Sequence, residues 1–254
     1  MKYEMIVTDL DRTLLNDQKE ISLKNLDALY KCKGLGYKIV FATARPKRAV
    51  LPYLKLIELD ALVVHNGAGI YMEEKEVEQI GIERKDINYL LTVAYTLKNN
   101  YGISIEVDDV HYANFDISGI WPGNEFIMTD FKDLPHQLID KMIIHIEHKQ
   151  DIEYFKEHVP ENLYFEMSEG LVGLIMNKKA TKLNAIKRLI KLFGIGLGQV
   201  IAFGDDLNDM SLLKAAGVGI AVSNASDEVK AVADRITVSN QEHGVARWLE
   251  ENIL

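Results

Sequence analysis

Short apolar runs alternate with helical patterns at both ends of this 254-residue chain. Met5–Thr8 has the composition of a buried strand, and Ser22 can cap a following helix with an apolar face of Leu23, Leu26 and Leu29. A second strand pattern covers 37–42. This alternation predicts an α/β fold built on a Rossmann-like, mostly parallel sheet.

The rhythm changes in the middle of the chain. A long helix is predicted over 83–99, and strand patterns follow over 103–107, 142–146, 163–166 and 171–176. From residue 181 the opening rhythm of helix and strand returns. We therefore predict a discontinuous core domain over 1–81 and 181–254, with an inserted α/β domain over 82–180.

Charge and composition narrow the range of partners. The net charge of −9 disfavours nucleic acid and anionic membranes, whereas a small anionic substrate needs only a local positive pocket or a metal. Cys32 is the single cysteine, so no intrachain disulfide is possible. No apolar run approaches the roughly 20 residues of a membrane span, and no signal-peptide pattern is visible. We expect a cytoplasmic protein, and the sequence leaves its oligomeric state open.

Two carboxylates follow the first strand. Asp9 and Asp11 project to the same side if the backbone stays extended, because residues two apart share a face of a strand. In open α/β sheets the carboxyl ends of strands border the ligand crevice. The alternative is a solvated, Asp-rich turn.

A second polar segment, Gly204-Asp205-Asp206-Leu207-Asn208-Asp209, also follows a predicted strand. Its crowded carboxylates repel one another unless a cation lies among them. Mg²⁺ prefers oxygen ligands and often bridges to substrate phosphate. The alternative is a turn that caps the next helix through Asp206 or Asn208, and both interpretations can hold together.

Two further residues suit a phosphate group. Thr43 ends a predicted strand, where its hydroxyl and neighbouring backbone N–H groups can hold a phosphoryl oxygen. Lys182 opens a helix, an unfavourable position for a cation unless an anion lies nearby. Taken singly, Thr43 is more simply a cap and Lys182 an exposed lysine.

These segments, in this order at strand ends, resemble the haloacid dehalogenase superfamily, whose phosphatases share an Asp-x-Asp-x-Thr motif. Within it, the chain is similar to the Cof-like sugar-phosphatase branch. That similarity includes Asn66-Gly67-Ala68, the Gly-Asp-x-x-Asn-Asp form of 204–209, and Glu242-His243-Gly244-Val245.

The resemblance implies a Mg²⁺-dependent phosphatase acting on a small phosphate ester, with the inserted domain as a specificity cap. Asp9 would attack phosphorus and stay ionised, while Asp11 would carry the proton for the leaving oxygen and later activate water. The resemblance places the remaining residues in three sets: phosphate binding by Thr43, Ala44 and Lys182; metal binding by Asp9, the Asp11 carbonyl, Asp205 and Asp209; and support from Asn208 and Asp206.

Some residues depart from the family pattern. Arg12, Ala44 and Leu183 stand where glycine is usual. Lysines 178 and 179 compete with Lys182 for the phosphate role, although the spacing to Ala185-Ile186 favours Lys182. Two other functions also remain: a phosphotransferase or mutase acting on sugar phosphates, and a non-catalytic, phosphate-binding regulator.

Overall fold

The computed structural model describes residues 2–73, 75–96, 101–135, 138–146, 148, 150–168 and 172–254. Contacts divide the chain into two units. Unit 1 comprises Met1–Glu78 and Thr181–Leu254, and unit 2 comprises Gln79–Ala180. The first boundary lies after Glu78, three residues before the boundary that the sequence pattern predicts after residue 81.

The strands, in chain order, are β1 (Met5–Thr8), β2 (Lys38–Ala42), β3 (Ala61–Val64), β4 (Gly69–Met72), β5 (Lys75–Gln79), β6 (Gly102–Val107), β7 (Val110–Ala113), β8 (Ile127–Met128), β9 (Lys141–His145), β10 (Leu163–Ser168), β11 (Val172–Asn177), β12 (Val200–Gly204), β13 (Val218–Val222) and β14 (Arg235–Thr237). The helices are α1 (Leu23–Gly34), α2 (Leu51–Leu54), α3 (Arg84–Thr96), α4 (Gln150–His158), α5 (Lys182–Phe193), α6 (Met210–Ala215), α7 (Asp227–Val232) and α8 (Gly244–Asn252).

One sheet organises unit 1, with strand order β14-β13-β12-β1-β2-β3-β4-β5. The strands from β14 to β3 are parallel, and β4 returns antiparallel to β3. The predicted α/β fold with a Rossmann-like, mostly parallel sheet is confirmed. Strand β1 lies inside the sheet between β12 and β2, so the residues after it come beside the ends of two neighbours.

Both faces of this sheet are covered. Alternate residues of a strand point to opposite faces. Ile6 accordingly joins a cluster with Leu29 of α1 and Leu249 of α8, whereas Val7 joins another with Ile186 of α5 and Leu212 of α6. Cover on both sides explains why all four residues of β1 are buried.

Helix α1 shows where periodicity misleads. Ser22 caps it as predicted, since its Oγ accepts from the Asn25 N–H at 3.2 Å. Leu23, expected on the apolar face, is 85% exposed. The buried side chains are instead Asn25, Ala28, Leu29 and Cys32. Asn25 is buried because it is satisfied: its amide donates to the Leu14 carbonyl and accepts from the Ala246 N–H.

Unit 2 has a sheet of its own, with strand order β10-β11-β9-β6-β7-β8 and mostly antiparallel pairs. Helices α3 and α4 contribute Leu90 and Phe155 to a core with Ile103, Ile105 and Ile144 of the sheet. The sequence pattern predicts no element at β7, β8 or α4 here, or at α7 and α8 in unit 1; β7, β8 and α7 have four, two and six residues, which are too few to show a period. Helix α6 is the helix expected after the turn over 204–209. Among the described residues, no helix combines the length and apolar character needed to cross a membrane.

Candidate active site

Three predicted site residues follow the ends of adjacent strands. Thr8, the last residue of β1, pairs with Phe203 of β12 and Phe41 of β2. Asp9, Asp205 and Thr43 therefore lie at the carboxyl edge of neighbouring strands, and they are 7%, 6% and 1% exposed. This edge is where open α/β sheets bind ligands.

Lys182 connects this edge to α5. Thr181 caps the helix by accepting from the Asn184 N–H at 3.2 Å, and Lys182 is its first residue. The Lys182 Nζ lies 2.6 Å from Asp9 Oδ1 and 2.7 Å from Asp209 Oδ1, and its side chain is 1% exposed. The interpretation of Lys182 as an exposed lysine is therefore wrong. The competing lysines 178 and 179 are exposed and belong to unit 2.

Both carboxylate oxygens of Asp209 accept hydrogen bonds. While its Oδ1 binds Lys182, its Oδ2 accepts from the backbone N–H groups of Asp205 at 3.1 Å and Asp206 at 3.2 Å. Gly204 makes room for it, since a Cβ at that position would lie 2.5 Å from the Asp209 Cβ and Cγ. The turn after β12 is therefore shaped around one carboxylate.

Three carboxylates form a candidate metal cluster. One oxygen from each of Asp9, Asp205 and Asp209 lies within 4.8 Å of the others, and all three residues are buried. Carboxylate oxygens are the donors that hard divalent cations prefer. Asp205 is oriented by Thr13, whose Oγ1 donates to its Oδ1 at 2.8 Å. The donor set fits a divalent ion.

Asp11 turns to different partners. The backbone does not stay extended after Asp9, since Leu10–Leu14 forms a turn closed by the Leu15 N–H on the Leu10 carbonyl. The Asp11 carboxylate accepts from Arg45 Nε at 2.6 Å, Arg45 Nη2 at 2.7 Å and Lys19 Nζ at 2.7 Å. The expectation of a shared extended face for Asp9 and Asp11 does not hold.

The surroundings shift the pKa values of these carboxyls in opposite directions. Burial raises the pKa of Asp9. The nearby positive charge of Lys182 lowers this pKa, and the negative charge of Asp209 raises it further. Burial likewise raises the pKa of Asp205 to about 6. For Asp11, burial is outweighed by hydrogen bonds from Arg45 and Lys19, which lower its pKa to about 2. The protein groups by themselves thus separate the pKa values of Asp9 and Asp11 in the sense opposite to the expected one.

The phosphate-binding candidates lie in the loop after β2. Thr43 is buried, and its Oγ1 accepts from the Arg45 N–H at 3.1 Å, while its carbonyl accepts from the Asn66 N–H. Ala44, between them, is exposed. Hydrogen bonds at Thr43 therefore hold the loop on both sides, and Ala44 lies at its surface.

The supporting residues cap and link loops. Asn208 donates to the Asn66 Oδ1 at 2.9 Å, which ties the turn after β12 to the turn after β3. Asp206 is exposed and its Oδ1 accepts from the Leu207 N–H at 2.8 Å, so its capping interpretation is consistent with the structure.

Arg12 occupies a left-handed conformation with φ of 59°, which explains why glycine is an alternative there. Asn224 stabilises this turn, because its amide donates to the Arg12 carbonyl at 2.8 Å and its own carbonyl accepts from Arg12 Nη2 at 3.2 Å. The Arg12 Nε lies 3.8 Å from Asp205 Oδ2.

Sequence reasoning gave no site role to Arg45, Lys19, Thr13 or Asn224. A signal was present for two of them: Thr13 is the last residue of the Asp-x-Asp-x-Thr motif, and Arg45 follows Thr43 by two positions. Nothing local indicated that Arg45 and Lys19 would converge on Asp11.

With this geometry in hand, comparison with known proteins decides the family. The model of the haloacid dehalogenase-like hydrolases matches residues 6–249. The chain belongs to this family. The resemblance to the haloacid dehalogenase superfamily and its Cof-like branch is therefore confirmed.

Individual relatives cover this haloacid dehalogenase-like chain almost completely. The phosphatase YwpJ of Bacillus subtilis is 29% identical, with 97% of this chain and 99% of the relative aligned. The 5-amino-6-(5-phospho-D-ribitylamino)uracil phosphatase YitU of the same organism is 26% identical, with 97% and 96% aligned. A crystal structure of a haloacid dehalogenase-like hydrolase from Bacteroides thetaiotaomicron is 25% identical, covers 98% of this chain and 99% of its own, and has a TM-score of 0.87. The protein is a phosphoric monoester hydrolase of the haloacid dehalogenase type.

Proposed function

We propose that this protein is a Mg²⁺-dependent phosphatase that hydrolyses a small phosphorylated metabolite, a sugar phosphate, through an aspartyl-phosphate at Asp9. The observation that carries the proposal is the buried Lys182 ammonium, 2.6 Å from Asp9 Oδ1 and 2.7 Å from Asp209 Oδ1. A buried cation between two carboxylates at a strand edge can also bind the equatorial oxygens of a transferring phosphoryl group.

Asp9 is the proposed nucleophile. Its carboxylate oxygen attacks phosphorus, the bond to the leaving oxygen breaks, and Asp11 gives a proton to that oxygen. For this step the Asp11 carboxyl must first leave the hydrogen bonds of Arg45 and Lys19, because they hold it ionised. Water then attacks the acyl phosphate and passes a proton to Asp11, which releases phosphate and restores the Asp9 carboxylate. Covalent catalysis divides one difficult displacement into two easier steps.

The proposed metal and phosphate ligands lie at the same carboxyl edge of the unit 1 sheet. Asp9, Asp205 and the Asp11 carbonyl would hold Mg²⁺, which supplies positive charge to neutralise the phosphoryl oxygens. Both oxygens of Asp209 already accept hydrogen bonds, so we propose that it orients Lys182 and the turn after β12 and supports the ion from there. Thr43 and the Ala44 N–H would hold a phosphoryl oxygen.

The substrate class rests on two supports. The relative YitU is named for a substrate with a phosphorylated ribityl chain, which is a sugar-alcohol phosphate. The resemblance to the Cof-like branch indicates sugar phosphates as well. Unit 2 is the proposed specificity cap. It is inserted into the core domain and has a hydrophobic core of its own, so its sequence can change with the substrate while unit 1 keeps its fold.

A metabolite screen tests the reaction, the metal and the substrate together. The purified protein is incubated with hexose, pentose and pentitol phosphates and with nucleotides, in Mg²⁺ or in a chelator, and released phosphate is measured. We expect release only with Mg²⁺ and fastest from a sugar phosphate. An isomerised sugar phosphate without free phosphate would instead establish a mutase.

Asp9→Asn tests the nucleophile. We expect it to reduce turnover by at least a factor of about 10³, because an amide cannot form the acyl phosphate. The matched control is Asp27→Asn, since Asp27 is an exposed residue of α1 paired with Lys31, and it should retain wild-type turnover. Acid quenching during turnover followed by peptide mass spectrometry should find the phosphoryl group on the peptide containing Asp9. Retained activity in Asp9→Asn would disprove the assignment.

A further inference from the structure

One cation beside the candidate metal cluster is largely open to solvent. Arg12 belongs to the turn after Asp9, and its side chain is 65% exposed. Its Nε lies 3.8 Å from Asp205 Oδ2, which is too long for a hydrogen bond. Because oxygens of Asp205 and Asp9 lie within 4.8 Å of each other, the guanidinium is one carboxylate away from the proposed nucleophile.

The Arg12 guanidinium keeps most of its donors available. Lys182, Arg45 and Lys19 all donate hydrogen bonds to carboxylates of the site. An arginine has five N–H donors in a planar fork. In the described part of the chain, the Arg12 guanidinium uses one of them, in the hydrogen bond from Nη2 to the Asn224 carbonyl at 3.2 Å. The remaining donors can reach a ligand.

The backbone at this position does not require an arginine. Its φ of 59° lies in the left-handed region, where a residue with a β-carbon is strained and glycine is not. Asn224 Nδ2 stabilises the turn through the Arg12 carbonyl at 2.8 Å, a contact that any residue can accept. A glycine would therefore hold the same turn with less strain, and what arginine adds is its side chain.

The guanidinium is also oriented before any ligand binds. Asn224, whose carbonyl accepts from Arg12 Nη2, is itself fixed, because its Oδ1 accepts from the Asn240 N–H at 2.9 Å. A cation that is already oriented loses less entropy when it binds an anion.

We infer that Arg12 is a specificity-determining residue that binds a second oxyanion of the substrate, a carboxylate or a second phosphate carried by the phosphorylated sugar. This inference rests on the proposed function, whose substrate class it narrows to sugar phosphates with a further anionic group. A guanidinium with available donors pairs with either oxyanion through two parallel hydrogen bonds.

The alternative is that Arg12 only offsets the negative charge of Asp205. Removing the side chain would then change the affinity for Mg²⁺, and it would change kcat/KM by the same factor for every ester. A second oxyanion on the substrate would make no difference.

Paired esters separate these two roles. 6-Phosphogluconate carries a carboxylate where sorbitol 6-phosphate has a hydroxymethyl group, and fructose 1,6-bisphosphate carries a second phosphate that fructose 6-phosphate lacks. We measure kcat/KM for phosphate release from each in saturating Mg²⁺. An ester that is not turned over is measured as a competitive inhibitor of the best substrate, and its inhibition constant replaces kcat/KM.

We expect the wild-type protein to favour the ester with the second oxyanion in at least one pair, by about tenfold or more, as for other hydrogen bonds between charged groups. The pair that shows the preference identifies the oxyanion as carboxylate or phosphate. The preference should fall as salt is added, because exposed charges are screened.

Arg12→Gly is the decisive variant, because it removes the side chain and suits the left-handed turn. Its urea midpoint should be no lower than that of the wild-type protein, and it should lose about tenfold more on the favoured ester than on that ester's partner. Arg12→Lys should keep part of the preference, since it has the charge without the planar fork. The matched control is Arg247→Gln, which removes an exposed arginine paired with Glu251 and should keep the full preference.

Equal losses on both members of each pair in Arg12→Gly would overturn the inference. A wild-type protein without a preference for the second oxyanion in either pair would overturn it too, as would a loss of preference in Arg247→Gln as large as that in Arg12→Gly. If the wild-type protein releases phosphate from no ester of the metabolite screen, the proposed function is wrong and the inference falls with it.

Discussion

At the scale of single residues, the charge of Asp205 depends on its buried surroundings. It is 6% exposed, shares the candidate metal cluster with Asp9 and Asp209, and has one hydrogen bond from Thr13 to support its ionised form. Burial wins over that hydrogen bond and raises its pKa from 3.8 to about 6. Its ionised form therefore costs folding free energy that a bound cation can offset.

The first prediction is a pH dependence of stability without metal. Because the folded state binds this proton more tightly than the unfolded state, the stabilisation is complete below pH 3.8 and is lost as the pH rises to about 6. The free energy of unfolding should fall by about 3 kcal/mol across that window from this residue. Urea unfolding in a chelator at several pH values measures it.

Asp205→Asn isolates this contribution, because Asp9 and the other carboxyls remain in both proteins. The difference in unfolding free energy between the variant and the wild-type protein should change with pH over the same window. Mg²⁺ should flatten the wild-type dependence, since it favours the ionised carboxylate. Parallel pH profiles for the two proteins would contradict the prediction.

At the scale of elements, the turn after β12 depends on a close approach. Gly204→Ala would place a Cβ 2.5 Å from the Asp209 Cβ and Cγ. We predict a loss of about 1 to 3 kcal/mol in unfolding free energy, as for other overpacked sites, together with weaker stabilisation by Mg²⁺. Gly198→Ala is the control, because nothing lies within 4 Å of its added Cβ. Equal stabilities for the two variants would show that the turn can relax.

Helix caps offer a matched pair. Thr181 caps α5, which begins with Lys182, and Ser22 caps α1; each accepts a backbone N–H at 3.2 Å. Substituting either by alanine should cost about 1 kcal/mol of stability. Only Thr181→Ala should also lower kcat/KM for phosphate release, because Lys182 is the next residue. A comparable loss of kcat/KM in Ser22→Ala would refute this link.

At the scale of the whole molecule, the two units have separate cores and one tryptophan each. Trp248 of unit 1 packs edge-on against Phe203 with ring centroids 5.7 Å apart, and Trp121 of unit 2 lies 5.4 Å from the His111 ring. Since the candidate metal residues all belong to unit 1, a bound ion should stabilise that unit.

The last prediction uses these tryptophans as reporters. Trp121→Phe leaves only the unit 1 signal and Trp248→Phe only the unit 2 signal. Saturating Mg²⁺ should raise the urea midpoint of the first variant. The expected gain in unfolding free energy is about 2.7 kcal/mol when free Mg²⁺ is in hundredfold excess over its Kd. The urea midpoint of the second variant should stay unchanged. Equal shifts in both would mean that the units unfold as one cooperative system.

The sequence by itself determined the fold class and where polar residues follow the strands. These properties are local: β1 and β12 are continuous apolar runs, and Asp9 and Asp205 come directly after them. In a parallel sheet, strand ends at one edge converge whatever the details of packing. Short elements such as β8 and α7 were missed because a few residues cannot show a period.

Only the tertiary structure decided which charges meet. Lys182 and Asp9 are 173 positions apart, and whether that lysine is exposed or buried depends on how α5 lies against the sheet. The pairing of Asp11 with Arg45 depends on a turn that departs from extended backbone, and the pKa shifts follow from burial and from these partners. Hydrophobic periodicity selects faces and edges, whereas hydrogen bonds between distant loops need atomic positions that no local pattern contains.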